Sequence, residues 1–141
     1  MPGTTNLAQS AAELRIVLGR LVRRLRAENT FPLSHGTVLA RLESDGPQTT
    51  SSLAAAERIR PQSMAHTVRE LESAGYVARR PHPLDRRQIL IELTDDGLAR
   101  LREDRKRREG WLAEAMSSQL SADEQEIVIR AVPLLDRLTR S

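Results

Sequence analysis

The sequence lacks cysteine altogether and is poor in aromatic residues, which make up 2% of its 141 residues. Without cysteine there are no disulfides, no thiolate nucleophiles and no cysteine-based metal clusters. A core with so few aromatic side chains has to be built from Leu, Val, Ile and Ala, which suits helices. The sequence also has no apolar run of the roughly 18 residues that span a membrane, and residues 1–14 lack the pattern of a secretory signal. We therefore expect a cytoplasmic protein without membrane contact.

Signs of catalysis are missing as well. The three histidines, His35, His66 and His82, do not have a spacing that gathers metal ligands. The seven glycines are scattered rather than grouped in a phosphate-binding loop, and no serine lies in a nucleophile-elbow motif. We expect no catalytic residue, no metal and no cofactor.

Arginine dominates the charged residues. Of the 22 basic residues only Lys106 is a lysine, and the net charge is +3. Residues 57–87 hold seven arginines against four acids, whereas residues 88–141 hold nine basic residues against eleven acids. The planar guanidinium suits phosphates and guanine edges, although a genome rich in G and C would produce the same bias. Because so small a net charge cannot bind DNA by bulk attraction, the arginines would have to be placed individually.

Four segments in the first half of the chain show helical signals. Residues 8–28 carry apolar residues at steps of three and four, which predicts an amphipathic helix. Ser34 is the expected N-cap of a second helix, and a third should run from residue 51 to about residue 58. A fourth helix begins with Pro61 at its first position and ends before Gly75, the expected C′ residue.

After the fourth helix the period changes to two, which predicts a β-hairpin. The strands are expected at residues 76–81 and 88–93, joined by a tip at residues 82–85. The alternation places three apolar residues on one face of the returning strand: Ile89, Ile91 and Leu93.

Two more helices follow the hairpin. Thr94 is the expected N-cap of a long helix, and Ser121 with Glu124 forms a capping box at the start of the last one. Proline inside a helix removes one hydrogen bond and clashes with the preceding turn, so Pro133 should bend the last helix near residues 129–133.

The outward face of the fourth helix is a candidate surface for reading base edges. Glutamine can bind adenine, arginine can bind guanine or phosphate, and serine or histidine can bind either kind of acceptor. The polar residues on this face are Gln62, Ser63, His66 and Arg69, with Ala65 between them. The alternative is an ordinary solvated face.

The hairpin tip carries the stronger signal. Four arginines fall within nine residues: Arg79, Arg80, Arg86 and Arg87. A guanidinium gains from the concentrated negative potential of a narrow minor groove, and the neighbouring carboxylate of Asp85 can hold it through a bidentate pair. The alternative is that Asp85 is a turn residue and that the arginines protect an exposed strand edge.

These segments resemble the MarR family of bacterial winged-helix transcription regulators. Asp85-Arg86-Arg87 followed by QILIELTDDG is similar to the family's wing, and LAAAERIRPQSMAHTVRELESAGYV is similar to its helix–turn–helix and strand entry. The resemblance implies one mainly α-helical domain over residues 1–141 with a small β-wing. It places the winged helix-turn-helix at 34–94 and dimerisation helices at about 8–30 and 95–141. The turn Glu57-Arg58-Ile59-Arg60 departs from the family, which commonly has Gly-Val-Ser there.

The resemblance also implies residue roles. Arg87 is expected in the minor groove with Asp85 as its positioning partner, while the polar face of the fourth helix enters the major groove. The full set of expected DNA contacts is Ser51, Arg60, Pro61, Gln62, Ser63, His66, Arg69, Arg80, Asp85, Arg86 and Arg87. A small aromatic carboxylate or phenol is the implied effector, and Arg15, Arg20 and His35 lie on segments that can line its pocket. The alternative, which we favour, is a solvated or structural role for each of them.

We therefore expect a homodimer that binds double-stranded DNA at a near-palindromic operator, acts as a repressor and is released by a small ligand. A regulator without any ligand is left open. The alternative from another class is a winged-helix module for protein–protein contact, with the wing arginines meeting an acidic partner.

Overall fold

The computed structural model describes residues 2–141, with side chains from Asn6 onward. The described residues form six helices and one two-stranded sheet: α1 Pro2–Arg26, α2 Leu33–Asp45, α3 Thr50–Glu57, α4 Pro61–Ser73, β1 Val77–Pro81, β2 Ile89–Leu93, α5 Asp95–Gln119 and α6 Ala122–Leu138. They group into two compact units. The wing unit is Arg26–Lys106, and the helical unit comprises residues up to Leu25 together with Arg107–Ser141. The predicted mainly α-helical class with a small β-wing is confirmed.

The wing unit contains a closed hydrophobic core. Helices α2, α3 and α4, both strands and the first part of α5 all contribute to it. Its fully or nearly fully buried members are Val38, Leu39, Leu42, Leu53, Ala54, Met64, Val68, Leu71, Val77, Ile91 and Leu101. As the composition predicted, almost all of this core is aliphatic, and Phe31 and Tyr76 pack only at its edge.

The helix ends of the helix–turn–helix follow the predicted signals. Thr49 caps α3 by accepting a hydrogen bond from the backbone N–H of Ser52 at 3.1 Å. Pro61 is the first residue of α4, and Gly75 follows the C-cap of that helix with a φ of +82°. Glycine adopts this left-handed conformation without the clash that a Cβ would cause. Pro61 and Gly75 therefore fix where α4 begins and ends.

The prediction that Ser34 caps the second helix is wrong. Helix α2 begins at Leu33 with Pro32 as its N-cap, two residues before the predicted cap. Pro32 holds φ at −57° and ψ at 147°, and its carbonyl accepts hydrogen bonds from the backbone N–H groups of His35 and Gly36. Ser34 lies inside the first turn, where its carbonyl accepts a hydrogen bond from the hydroxyl of Thr37. The ring of proline fixes an extended entry, which makes a side-chain cap unnecessary.

The hairpin has the predicted position and is tied to the loop before α3. Val77 pairs with Leu93 and Pro81 with Ile89 in antiparallel register. Gln48 exchanges two backbone hydrogen bonds with Ile91, at 3.0 and 2.7 Å. The wing is therefore anchored along one edge as well as at its base.

The three apolar residues at alternate positions of β2 differ in how deeply they are buried. Ile91 is fully buried and Leu93 packs against the core, but Ile89 is 42% exposed. Leu90, on the opposite face, is buried instead. Ile89 lies nearest the tip, where the hairpin extends beyond the core that covers its base.

Thr94 lies between β2 and α5 and ties the start of α5 to the segment that follows α4. Its hydroxyl donates to the carbonyl of Gly75 at 2.7 Å and accepts the backbone N–H of Gly97 at 3.0 Å. A Cβ on Gly97 would lie 2.1 Å from the carbonyl oxygen of Tyr76, so only glycine allows this approach. The predicted cap is confirmed, and it fixes α5 against the start of the wing.

A buried carboxylate holds the loop before α2. Asp104 is fully buried and accepts hydrogen bonds from the backbone N–H of Thr30 at 3.2 Å and from its hydroxyl at 2.7 Å. Arg100 donates to the same Thr30 hydroxyl and lies over the ring of Phe31, 5.4 Å from the ring centroid. A buried carboxylate is costly unless it is compensated, and here the N–H and the hydroxyl of Thr30 both donate to it.

The helical unit is built differently, since none of its described side chains is buried. The guanidinium of Arg24 stacks over Trp111 at 4.4 Å from the ring centroid, and Ser121 and Glu124 form the predicted capping box of α6. Helix α6 is α-helical from Ala122 to Leu138 with Pro133 inside it, and the bend expected near residues 129–133 stays a prediction. Among the described residues, no helix has the combination of length and hydropathy needed to cross a membrane.

Candidate nucleic-acid interface

Helix α4 presents a polar face to solvent and an apolar face to the core. Met64, Val68 and Leu71 are fully buried. All four polar residues singled out from the sequence are exposed: Gln62, Ser63, His66 and Arg69. This division follows from the helical period, and it leaves the exposed face free to enter a groove.

The exposed face also contains Glu70, whose carboxylate was not among the predicted site residues. The Nε2 atom of His66 lies 3.1 Å from Oε1 of Glu70, and Nε2 of His35 lies 3.7 Å from the same oxygen. His35 is 14% exposed and reaches α4 from α2. The i,i+4 spacing of His66 and Glu70 was the available signal, whereas the approach of His35 depends on the fold.

The turn between α3 and α4 is where the sequence departs from its family resemblance, and it carries a backbone irregularity. Arg58 adopts the left-handed conformation with φ of 55° and ψ of 44°. This conformation costs a residue with a side chain roughly 1–2 kcal/mol. Arg60 then serves as the N-cap of α4, and its carbonyl accepts the backbone N–H of Met64 at 3.0 Å. The turn therefore places two exposed or partly exposed arginines at the start of the recognition helix.

A shallow notch brings together two site residues that are far apart in the sequence. It has a volume of about 290 Å³ and is lined by Thr49, Thr50, Ser51, Arg87, Gln88 and Ile89. The positive end of the α3 dipole favours an anion, and Arg87 adds a full positive charge. The notch thus has the chemistry to receive a backbone phosphate.

The wing tip is held by hydrogen bonds to its backbone. Oδ1 of Asp85 accepts the backbone N–H of Arg87 at 3.1 Å, and the carbonyl of Asp85 accepts the N–H of Gln88 at 3.0 Å. Nδ1 of His82 accepts the N–H groups of Leu84 and Asp85. The expected pair between the Asp85 carboxylate and the Arg87 guanidinium is not formed among the described residues. Asp85 instead acts on the backbone, because its short side chain reaches the amide two residues on.

The four wing arginines fall into two pairs with different surroundings. Nε of Arg79 lies 2.8 Å from the Glu72 carboxylate, and Nε of Arg80 lies 3.2 Å from the Glu92 carboxylate. Within the described part of the chain, no carboxylate lies within ion-pair distance of Arg86 or Arg87, which are both exposed. Arg86 and Arg87 therefore have positive charge available for a ligand.

Two predicted candidates for an effector site lie outside this surface. Arg15 and Arg20 are exposed on α1 in the helical unit.

No cluster of three or more His, Cys, Asp or Glu among the described residues is arranged to hold a metal ion.

The helix–turn–helix, the exposed face of its second helix and the basic two-stranded wing define a winged helix-turn-helix protein. A family model described as the MarR family matches residues 31–89. An HTH-type transcriptional regulator of Mycobacterium tuberculosis is 35% identical over 131 residues, covering 91% of each chain. A crystal structure described as a transcriptional regulator from Pseudomonas aeruginosa has a TM-score of 0.82 and 34% identity and covers 98% of both chains.

The fold extends to more distant structures. A MarR family protein from Bacillus stearothermophilus has a TM-score of 0.74 at 21% identity, covering 97% of both chains. The chain belongs to the MarR family of transcriptional regulators. It is accordingly a DNA-binding regulator and not an enzyme.

Proposed function

We propose that the protein is a homodimeric repressor that binds a near-palindromic operator. In this proposal α4 enters the major groove and Arg87 enters the neighbouring minor groove. The observation that carries it is the free positive charge of Arg86 and Arg87 on a hydrogen-bonded tip, together with the exposed polar face of α4. The groups expected to touch DNA are Ser51, Arg60, Pro61, Gln62, Ser63, His66, Arg69, Arg80, Asp85, Arg86 and Arg87.

The structure suggests different tasks for these groups. Arg80 already has a carboxylate partner, so we expect it to contribute less than Arg86 and Arg87. Pro61 and Asp85 shape the backbone that carries their neighbours. Ser51 and Arg87 meet in the notch at the start of α3, where we expect a phosphate. Base edges are left to the exposed residues of α4, because direct readout needs the major groove.

The dimer is proposed from apolar surface that the chain leaves uncovered. On α1 the large exposed apolar residues are Leu7, Leu14, Ile16, Val17, Leu18, Leu21 and Val22. On α6 they are Ile127, Val128, Ile129, Val132, Leu134, Leu135 and Leu138. Contiguous apolar surface of this kind marks an interaction site. A second copy of the chain would cover it symmetrically and set two recognition helices about one turn of DNA apart.

We further propose that a small aromatic acid or phenol releases the protein from DNA. Without cysteine an oxidant has no thiol to modify. Such a ligand must bind the released state about 5.5 kcal/mol more tightly to move a 1:99 population to 99:1, so a weaker one derepresses only in part. Titration of the operator complex with salicylate-like compounds, with peroxide as the comparison, tests this. Release by peroxide without any response to aromatic acids would contradict it.

Arg87→Ala is the test of the wing contact. We expect it to weaken operator binding by about 1–3 kcal/mol while the fold and the dimer are retained. The control is Arg130→Ala, which removes the same charge from the exposed surface of α6. Both are measured against DNA fragments selected by the purified protein, at one salt concentration. Equal affinities for Arg87→Ala and its parent would show that the wing does not reach the groove.

The alternative is a winged-helix module that binds an acidic protein. A series of gel shifts at increasing salt separates the two, because phosphate contacts give a steep and linear dependence on the logarithm of salt concentration. Specific complexes with the selected DNA support the regulator, and their absence at every salt concentration supports the module.

A further inference from the structure

His82 caps the wing tip through its ring nitrogen, which can accept hydrogen bonds only while it carries no proton. Nδ1 of His82 accepts the backbone N–H of Leu84 at 3.1 Å and that of Asp85 at 3.2 Å. The backbone N–H of His82 donates to the carbonyl of Gln88, which closes the hairpin at 3.0 Å. His82 and Asp85 are partly buried, while the other residues from Pro81 to Ile89 are exposed. The side chain of His82 is therefore part of the tip's own structure.

Two donors converging on Nδ1 require a lone pair on that nitrogen. The ring must therefore be neutral, with its proton on Nε2. Protonation places a hydrogen on Nδ1 and turns the acceptor into a donor that faces two other donors. Both hydrogen bonds are then lost, and the ring has to turn away from the tip. Histidine is the side chain whose charge ordinarily changes between about pH 5 and 8.

The charged groups nearest to His82 lie in the tip and on the two strands. Within the tip lie Arg86, Arg87 and Asp85, and the Asp85 carboxylate is engaged by the backbone of Arg87. On the strands, Arg80 pairs with Glu92. The start of α3, which meets the wing in the notch, contributes Thr49, Thr50 and Ser51 and no charge. Among the described residues, no carboxylate comes within ion-pair distance of the His82 ring.

Two hydrogen bonds connect His82 through Asp85 to Arg87. His82 holds the backbone N–H of Asp85, and the side chain of Asp85 holds the backbone N–H of Arg87. Each link fixes the residue that makes the next one. Loss of the first link removes one of the hydrogen bonds that hold Asp85, and this loosens the backbone from which the Arg87 guanidinium extends.

We propose that His82 is a positioning residue that makes the wing sensitive to pH. Its neutral ring holds the tip in the form that binds DNA, and its protonation loosens the tip. The second half of this proposal rests on the wing contact put forward above. Losing two shared hydrogen bonds of ordinary strength corresponds to about a five- to tenfold loss of affinity.

The free protein tests the first half without DNA. Backbone NMR signals of Leu84 and Asp85 are followed from about pH 8 to about pH 5.5, the range in which imidazole titrates, together with their hydrogen exchange. We expect both amides to shift together and, at the acidic end in the parent, to lose protection against exchange relative to the intrinsic rate at the same pH. In His82→Asn they should stay constant, because an amide oxygen can accept the same two N–H groups and does not titrate. Constant signals in the parent would overturn the proposal.

Operator affinity tests the second half. Other histidines near DNA also gain charge in acid, so the measured quantity is the affinity of the parent relative to His82→Asn at each pH. This ratio should fall about five- to tenfold on acidification. The control repeats this comparison in a background that lacks His66, the histidine on α4. The affinity of His66→Asn relative to that of the double variant His66→Asn/His82→Asn should show the same fall. If the affinity ratio stays constant with pH while the amides of Leu84 and Asp85 respond, His82 is not coupled to DNA binding. If Arg87→Ala then also binds like the parent, the error lies in the proposed wing contact.

Discussion

The two units of the chain differ in how they dispose of their apolar residues. The wing unit buries a closed set of aliphatic side chains and leaves mainly polar and charged ones outside. The helical unit buries no described side chain, and long rows of Leu, Ile and Val on α1 and α6 are exposed. The wing unit is therefore packed like a complete fold, whereas the helical unit leaves apolar surface uncovered, as one half of an interface does. This difference supports the proposal that the wing unit contacts DNA and that the helical unit pairs two copies of the chain.

A charge placed in the exposed apolar rows should have the largest effect. Val132 is 59% exposed on α6. Val132→Asp would bury an uncompensated carboxylate in the proposed interface, which costs several kcal/mol, so the dimer should dissociate about 100-fold more readily or worse. Sedimentation at several protein concentrations measures this. Arg130→Asp introduces the same residue on the polar face of α6 and should leave the dimer intact. If both variants dimerise like the parent, α6 does not form the interface.

Truncating one leucine in each unit sharpens the comparison. Leu53 is fully buried, so Leu53→Ala should lower the free energy of unfolding by about 2–5 kcal/mol. Leu134 is 52% exposed in the single chain, so Leu134→Ala should remove little of the chain's own packing and should act by weakening the dimer. Denaturant unfolding at two protein concentrations separates these effects. The Leu134→Ala loss should depend on concentration more strongly than the Leu53→Ala loss, and identical behaviour of the two would contradict the division between the units.

The smallest expected effect concerns acid titration of one carboxylate in each unit. The backbone N–H of Ser121 donates to Glu124 and lowers the pKa of that carboxyl below its usual 4.5. A hydrogen bond from Arg105 lowers the pKa of Glu43 in the wing unit in the same way. A lowered pKa means that each contact stabilises the fold above the ordinary pKa and is lost as pH falls through the folded value.

Salt distinguishes these two carboxylates. Added salt should weaken the Glu43–Arg105 pair, because it screens exposed charges, and should spare the hydrogen bond to the backbone at Glu124. NMR titration of both carboxyl groups at low and high salt measures this. Glu124→Gln retains the cap without titrating, and the amide of Ser121 should then stop responding to acid. A salt response of equal size at both sites would contradict the assignment.

The sequence predicted what depends on near neighbours. Pro61, Gly75 and Ser121 mark helix ends through the local backbone, and the period of α4 separates its exposed residues from its buried ones. These features are encoded within a few residues, so the order of elements and the exposed candidates could be found without coordinates.

Contacts between distant segments could not be predicted in the same way. Asp104 holds Thr30 across 74 positions of sequence, and His35 reaches Glu70 from another helix. The error at the wing is of another kind, because its residues are close in sequence. Two roles were open for Asp85, a pair with the arginine side chain and a turn residue. The folded turn favours the second, since the carboxylate accepts the backbone N–H of Arg87 and His82 holds the tip.

The central claim is that two chains, paired through the helical units, present two wing units to one operator. Native mass spectrometry of the protein with the DNA fragments that it selects tests this most directly. The account predicts free protein at twice the chain mass of 15.8 kDa and a complex of two chains with one duplex. A complex of one chain with one duplex, from protein that is monomeric when free, would contradict it.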